Sequence, residues 1–506
     1  MFLQVRVLPE DQSALRFLWR PPGTRSPPTI YQMQVQIFGS ISSPFICSNV
    51  LQHNAELHRL EFPNVVDRIK RNFYVDNLLD SFDTEDEAIQ ASKDYSNLLK
   101  KGGFHLNQWI SSSRKVLSSL PREDLSNPLL NIDLEDLPSE RTLGVLYNSE
   151  SDVFIFKINL DPEAKTKRRI LSVVATIYDP LGFLSPVILI AKKILQEIWS
   201  SGCDWDDVVD QQILIQWKRW TDQLPQLEKL AIPRSITKSL RIEKCKRIQI
   251  HAFCDASTVG YGAVVYLRVI SHNDDINLTF VLSKSRVAPL RPLTIPRLEL
   301  QGAIVAVRLV KKIVSILRFP INEFFYWSDS KTVLQWIKSK TCRFQTFVAN
   351  RVAEILEGSN SNQWFHVPGI DNPADECSRG VFPRDLNQAD RWFTGPAFLH
   401  FKEDKWPEQS LINEPPFDGS ELTKTKWVGM IRQLKEVRGI RQIMSNSSNF
   451  FRCCRAVAWV MRYIQNLKLK SLGQPIRLEY LSIPELKTAK RVCIQQAQEE
   501  CFFHGI

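Results

Sequence analysis

Between residues 246 and 380 the sequence alternates strand-like and helix-like segments, which restricts this stretch to an α/β domain. IQIHAFCDAS alternates apolar and polar residues and reads as a strand ending at Asp255. YGAVVYL and LTFVLSK read as two more strands. IPRLELQGAIVAVRLVKKI reads as a helix with Pro296 in its first turn, where a missing N–H costs nothing. Glu299 shares a helical face with Gly302, Ala303 and Ala306, whose small side chains let that face lie close against a sheet. FFYWSDSKTVLQWIKS predicts a strand with Asp329 at its C-terminal end and Ser330 as the N-cap of the next helix. NQWFHVPG is a further strand, and NPADECSRG opens a helix that presents Asp375.

Asp255, Glu299, Asp329 and Asp375 form a candidate catalytic and metal-binding set. Phosphodiester hydrolysis needs an activated water and a stabilised leaving oxygen, and two Mg²⁺ ions about 4 Å apart supply both. Mg²⁺ takes hard oxygen ligands, so clustered carboxylates suit it, with Mn²⁺ as a substitute. In open α/β sheets such sites lie at the carboxyl ends of strands, where Asp255 and Asp329 are expected. Spacing alone selects little among 55 acidic residues; the phrases around the four acids carry the assignment.

The 506 residues suffice for three or four domains. Residues 1–98 hold short strand candidates, MFLQVRV, YQMQVQIFG and FYVDNLL. From Arg169 to about Leu230 the reading is largely helical, with Ile194, Ile198, Ile213 and Trp217 among the apolar positions. Residues 381–425 are rich in Pro, Asp and Glu and read as a linker with short elements; residues 426–506 read as helices. A formal charge of +10 fits either a polyanionic partner such as nucleic acid or a solvated basic surface. Lys165, Lys167, Arg168 and Arg169 are the sharpest basic cluster, read either as phosphate contacts or as a solvated helix start. Ten scattered cysteines without a CxxC pair fit a reduced compartment. No signal peptide is expected, and the most apolar stretch, 177–195, is broken by Asp179, Pro180, Pro186, Lys192 and Lys193, so no membrane span is expected. The protein is expected to be intracellular, cytoplasmic or nuclear.

FCDAS, IPRLEL, WSDSKTVLQW, FVANRVAEI and HVPGIDNPADECSRG, in that order across residues 246–385, resemble the RNase H region of BEL/Pao-type LTR retrotransposon polyproteins. The resemblance implies cleavage of RNA in RNA–DNA hybrids, with Asp255, Glu299, Asp329 and Asp375 at the positions of the metal acids. It also implies a departure. Some RNases H carry a mobile histidine loop before the last acid, whereas the loop from Pro368 to Pro373 has none, and His366 falls on the preceding strand.

MFLQV, FGSISSP, FYVDN and KKGGFHLNQWISSS resemble the end of a reverse transcriptase palm from the same elements. The family's YVDD reads Tyr74, Val75, Asp76, Asn77, and its lysine before the tryptophan is Gln108. Its other aspartate lies four residues before the methionine at which this chain begins. The resemblance therefore implies a degenerate polymerase site at Asp76 and Asn77. RTLGVLYNSESDVFIFKI and the segment from Arg168 to Trp199 resemble the thumb and connection region, sometimes labelled a peptidase. The sequence holds no DTG or DSG, and Asp418-Gly-Ser has the wrong order, so aspartic peptidase activity is not expected. The C-terminal helices resemble the spacer before an integrase; Cys501 and His504 fall short of the four ligands of a structural zinc site.

The resulting expectation is a multidomain α/β and α+β chain. It has a partial palm at 1–100, a thumb/connection region at 101–245 and an RNase H-like mixed sheet with flanking helices at 246–385. A linker at 386–425 and a truncated helical segment at 426–506 follow. The expected function is two-metal hydrolysis of RNA–DNA hybrids. The rival reading is a non-catalytic nucleic-acid-binding remnant. Protein partners are not legible.

Overall fold

The computed structural model describes residues 1–130, 132, 136–137, 139–142, 144–237, 245–339, 344–387, 390–409, 421–422, 443, 449–476 and 480–503. Asp418, His504 and most of 423–448 lie outside these.

The N-terminal unit packs three helices, α1 (Ser43–Leu57), α2 (Pro63–Asn72) and α3 (Glu85–Lys101), around Cys47, Leu51, Val66, Ile69, Tyr95 and Leu98. Two small antiparallel pairs accompany them: β1 (Arg16–Trp19) with β2 (Thr29–Gln32), and β3 (Phe73–Tyr74) with β4 (Asn77–Leu78). MFLQVRV, expected as a strand, instead begins with a 3₁₀ turn over Phe2–Gln4. Phe2 and Val5 are both buried, and a helical turn brings residues three apart onto one face, which a strand does not. YQMQVQIFG contributes only its first two residues to β2. FYVDN forms the β3–β4 hairpin, with Val75 at φ +55° at its turn.

After α4 (Arg114–Ser118), the strands β5 (Ser139–Thr142), β6 (Val145–Asn148), β7 (Val153–Ile155) and β8 (Ala231–Pro233) form an antiparallel sheet in that order. Between β7 and β8 run α5 (Lys167–Thr176), α6 (Ser185–Ser200) and α7 (Gln211–Thr221). Ile194, Ile198, Ile213 and Trp217 are buried on these helices.

The principal sheet contains β9 (Cys245–Ala256), β10 (Gly260–Ser271), β11 (Ile276–Val287), β12 (Glu323–Ser328) and β13 (Trp364–His366). Its five strands run in the order β11-β10-β9-β12-β13. β12 is parallel to β9 and β13, while β10 is antiparallel to β9 and β11. β9 is buried on both sides, the condition of a strand covered on two faces. On one side Ile250, Ala252 and Cys254 pack under α8 (Ile295–Ile316), α9 (Lys331–Lys338) and α10 (Thr346–Gly358). On the other, Phe253, Tyr266, Phe280 and Trp327 share a core with α5 to α7, α11 (Ala374–Arg379) and α12 (Arg391–Thr394). The core is thus continuous from residue 164 to residue 399 and crosses the boundary expected at 245/246.

The segment expected as a linker is instead packed over residues 390–406. The Trp392 indole donates to the Phe183 carbonyl at 2.8 Å. Arg268, 1% exposed, donates to the Leu399 and Phe401 carbonyls, both at 2.7 Å, and to Gln249 Oε1 at 2.6 Å. Its aromatic and aliphatic anchors, Trp392, Phe398, Leu399 and Trp406, are interspersed with the Pro, Asp and Glu that suggested a linker.

Both sheet edges are engaged. The Ser283 N–H on β11 donates to the Leu181 carbonyl at 3.0 Å. The Gln409 amide both accepts from the His366 N–H (2.8 Å) and donates to the His366 carbonyl (3.0 Å) on β13. At the C-terminal end α13 (Phe450–Ser471) packs on α14 (Ile483–Phe503) through Cys453, Cys454, Val457, Ala489 and Cys493. No helix among the described residues is long and apolar enough to cross a membrane.

Candidate active site

Asp255 is the penultimate residue of β9 and faces Gly262 of β10 across the ladder. Asp329 directly follows β12, whose last residue, Ser328, is in register with Cys254. The two acids therefore leave the carboxyl ends of adjacent parallel strands. Ser330 caps α9 by accepting from the Val333 N–H, which holds the strand-to-helix turn around Asp329.

Glu299 comes from the start of α8. The helix approaches the sheet at Gly302, where a Cβ would lie 2.8 Å from the Asp255 backbone oxygen and 3.3 Å from that of Gly262. Ala303 and Ala306 are fully buried beside it.

Asp375 is brought in by α11, and Asn372 fixes that helix to the sheet. Its fully buried side chain donates to the Cys254 carbonyl and accepts from the Ala374 N–H, both at 3.1 Å. Ser257 adds a bond to the Ser378 carbonyl at 2.7 Å. On the outer side Arg391 of α12 pairs with Glu376 at 2.7 Å. Asn372, Ser257, Ser378 and Arg379 were not singled out from the sequence. The signals were the phrases FCDAS, which holds Ser257, and DNPADECSRG, which holds the other three; their residues tie the last acid to the first strand.

The four acids repel one another in a site largely shielded from water. Burial pushes the Asp255 carboxyl up to about 7, reinforced by the charges of Asp329 and Asp375 and opposed by hydrogen bonds from Ser378 and the Ala256 backbone. Burial and the charges of Glu299 and Asp375 raise Asp329, against a restraining bond with Asp255. Glu299 is raised by burial and by Asp255, and the Ser330 hydroxyl that donates to its Oε2 opposes the shift. Ser378 Oγ donates to Asp255 Oδ2, and Arg379 Nε donates to Asp375 Oδ1.

The donor chemistry fits a hard divalent cation. Asp329 Oδ1 is buried with no hydrogen-bond partner. A positive ion would satisfy that oxygen and relieve the repulsion that raises the neighbouring carboxyls. The set is nevertheless open: among the described residues no group of three or more His, Cys, Asp or Glu side chains is arranged to hold a metal ion as it stands. Asp255, Glu299 and Asp375 each accept from a protein donor instead.

His366 ends β13, as expected of a strand residue. Burial and Lys331 depress its pKa, while a hydrogen bond to the Asp329 backbone acts the other way. The loop that follows it passes close to Asp329: a Cβ on Gly369 would lie 3.4 Å from Asp329 Oδ2.

The other sequence-derived candidates lie elsewhere. Asp76 and Asn77 sit on the exposed β3–β4 hairpin, where the Asn77 amide donates to Asp76 at 3.4 Å. The basic cluster is matched by partners within the chain. Lys165 pairs with Glu163 at 3.0 Å, Arg168 with Asp206 at 2.8 Å and Arg169 with Asp161 at 2.6 Å. Lys167 lies over the rings of Trp199 and Trp205, 4.6 and 5.1 Å from their centroids.

A mixed sheet in this order, with acids at the ends of its central parallel strands and on the helix crossing it, defines an RNase H-like α/β unit. Residues 166–330 match the family model of the Pao retrotransposon-like RNaseH-like domain, which supports an RNase H-like region of that kind in this stretch. The match takes in the helices α5 to α8 and the acids Asp255, Glu299 and Asp329. Among solved structures, RNase H1 from the halophilic archaeon Halobacterium salinarum NRC-1 is similar at 14% identity, covering 25% of this chain and 90% of that one, with a TM-score of 0.19. The N-terminal RNase H domain of a Mycobacterium tuberculosis protein, solved as a maltose-binding-protein fusion, is similar at 15% identity over 26% and 90% of the two chains, also at 0.19. LC11-RNase H1, solved in complex with an RNA/DNA hybrid, is similar at 13% identity over 28% and 100%, at 0.19. No curated protein matches the chain.

Proposed function

We propose that this chain hydrolyses the RNA strand of RNA–DNA hybrids with two divalent cations, Mg²⁺ or Mn²⁺, held by Asp255, Glu299, Asp329 and Asp375. The unpartnered Asp329 Oδ1, buried among carboxyls that resist ionisation, carries this reading. When bound, such ions supply an activated water and stabilise the leaving oxygen. The protein's part is placement. β9 and β12 present Asp255 and Asp329 side by side, α8 brings Glu299 over them, and α11 brings Asp375. Ser378 and Ser330 orient two of these carboxylates. His366 holds the Asp329 backbone and moves no proton. The net charge of +10 suits a nucleic-acid partner.

A labelled hybrid incubated with Mg²⁺ or Mn²⁺ tests the proposal, with Asp329→Asn beside the wild type. Wild-type cleavage abolished by the substitution is expected. Hybrid binding without cleavage under either ion would leave a non-catalytic nucleic-acid-binding remnant. That second reading is favoured by Asn77 in place of a polymerase carboxylate, since a decaying element loses more than one site.

Residues 1–100 are read as a reverse transcriptase palm that does not polymerise. Asn77 is neutral where a carboxylate is needed, and an amide holds Mg²⁺ less well. No dNTP incorporation is expected; incorporation abolished by Asp76→Ala would refute this. Peptidase activity forms no part of the proposal.

A further inference from the structure

The carboxylate cluster contains a cation of its own. Arg379 closes α11 four residues after Asp375, and its Nε donates to Asp375 Oδ1. The guanidinium also feels the charges of Asp255 and Asp329, so it acts on three of the four acids. The Arg379 side chain is 68% exposed and that of Asp375 32%, which places the pair on the open side of the cluster.

The three side-chain donors Ser378, Ser330 and Arg379 differ in kind. Ser378 is fully buried and Ser330 is 7% exposed, and both are neutral. Arg379 is charged, long and largely exposed to solvent. An exposed pair at this helical spacing is weak and screened by salt, so it opens readily. It nevertheless turns Asp375 toward α11's own end in a cluster whose Asp329 Oδ1 stays unpartnered.

We propose that Arg379 is a resident counter-ion of the cluster, clasping Asp375 while no divalent cation is bound and competing with a cation for that carboxylate. The inference rests on reading the cluster as a divalent-cation site. Arg379 is thus a positioning residue that lets three buried acids and Asp375 coexist before the ion arrives. Its removal leaves Asp375 unclasped and the site more negative by one charge, so divalent cations bind more tightly.

The test is Mn²⁺ titration of the full chain without nucleic acid, followed calorimetrically, with thermal midpoints in EDTA as the check on folding. Arg379→Gln is expected to tighten Mn²⁺ binding at least threefold. Arg379→Lys, which keeps the charge, is expected to stay within twofold of the wild type. Asp375→Asn added to Arg379→Gln is expected to erase the gain. Should Arg379→Gln lower the midpoint in EDTA, Arg379→Ala replaces it with the same expectation. Unchanged or weaker Mn²⁺ binding in the charge-removing variants overturns the inference while leaving the cation site standing. Absence of Mn²⁺ binding in wild type and all variants overturns both.

Discussion

Gly302 and Asp255 meet backbone to backbone: a Cβ on the glycine would lie 2.8 Å from the Asp255 carbonyl oxygen. The helix that carries Glu299 therefore touches the strand that carries Asp255 at a point with no room for a methyl group. Gly302→Ala must lift α8, because a paired strand backbone gives less than a side chain does. The overpacking costs about 1–3 kcal/mol. Displacing Glu299 by about 1 Å costs on the order of 100-fold in hydrolysis. Denaturant unfolding and hybrid cleavage measure the two effects; wild-type cleavage by Gly302→Ala would contradict the geometry.

Burial and mutual repulsion lift Asp255 from its ordinary 3.8 to about 7, and move Asp329 and Glu299 the same way. The folded chain therefore binds protons more tightly than the unfolded chain. The contribution of these carboxyls to stability is full below pH 3.8 and is lost as pH rises through about 7, by on the order of a few kcal/mol. In EDTA the thermal midpoint should fall between pH 5 and 8, and Asp255→Asn should flatten that fall and be the more stable protein at pH 8. Ser378→Ala removes a bond that favours the ionised carboxylate, so the acid limb of the hydrolysis profile should move to higher pH. A limb that stays put would separate Ser378 from Asp255 function.

Lys165, Arg168 and Arg169 are already balanced by Glu163, Asp206 and Asp161. Replacing all three by Gln should leave the salt dependence of hybrid binding unchanged. A slope that falls by about one unit per cation would assign them to phosphate contacts instead.

Arg268 holds residues 399 and 401 against the sheet from a site 1% exposed to solvent. Arg268→Met keeps volume but strands two carbonyls and Gln249 without their donor. Each buried acceptor left without its donor costs about 1–3 kcal/mol. Hydrogen exchange over residues 397–406 should accelerate before the rest of the sheet is affected.

The strands and helices around the acids were legible because each is written locally. Asp255 and Asp329 end apolar runs, Pro296 marks a helix start, and Ser330 caps the next helix as its position predicts. The relationships among them were less visible. Arg379 and Asp375 show helical spacing, but nothing local shows Ser378 reaching Asp255, 123 residues away. Amphipathic patterns in α5 to α7 announce an apolar face without saying that the face covers the sheet. Trp392, Phe398 and Leu399 were hidden by the polar residues around them. MFLQVRV misled because Phe2 and Val5, three residues apart, fit a turn's period, while the apolar run around them reads as a strand.

The two ends of the principal sheet are closed by the chain's own flanks, Leu181 at Ser283 and the Gln409 amide at His366. At these positions an incoming β-strand from a neighbouring molecule finds the backbone already paired. A Gln409→Pro substitution would therefore do more than loosen a tail. It would free the His366 peptide as a template for edge-to-edge aggregation.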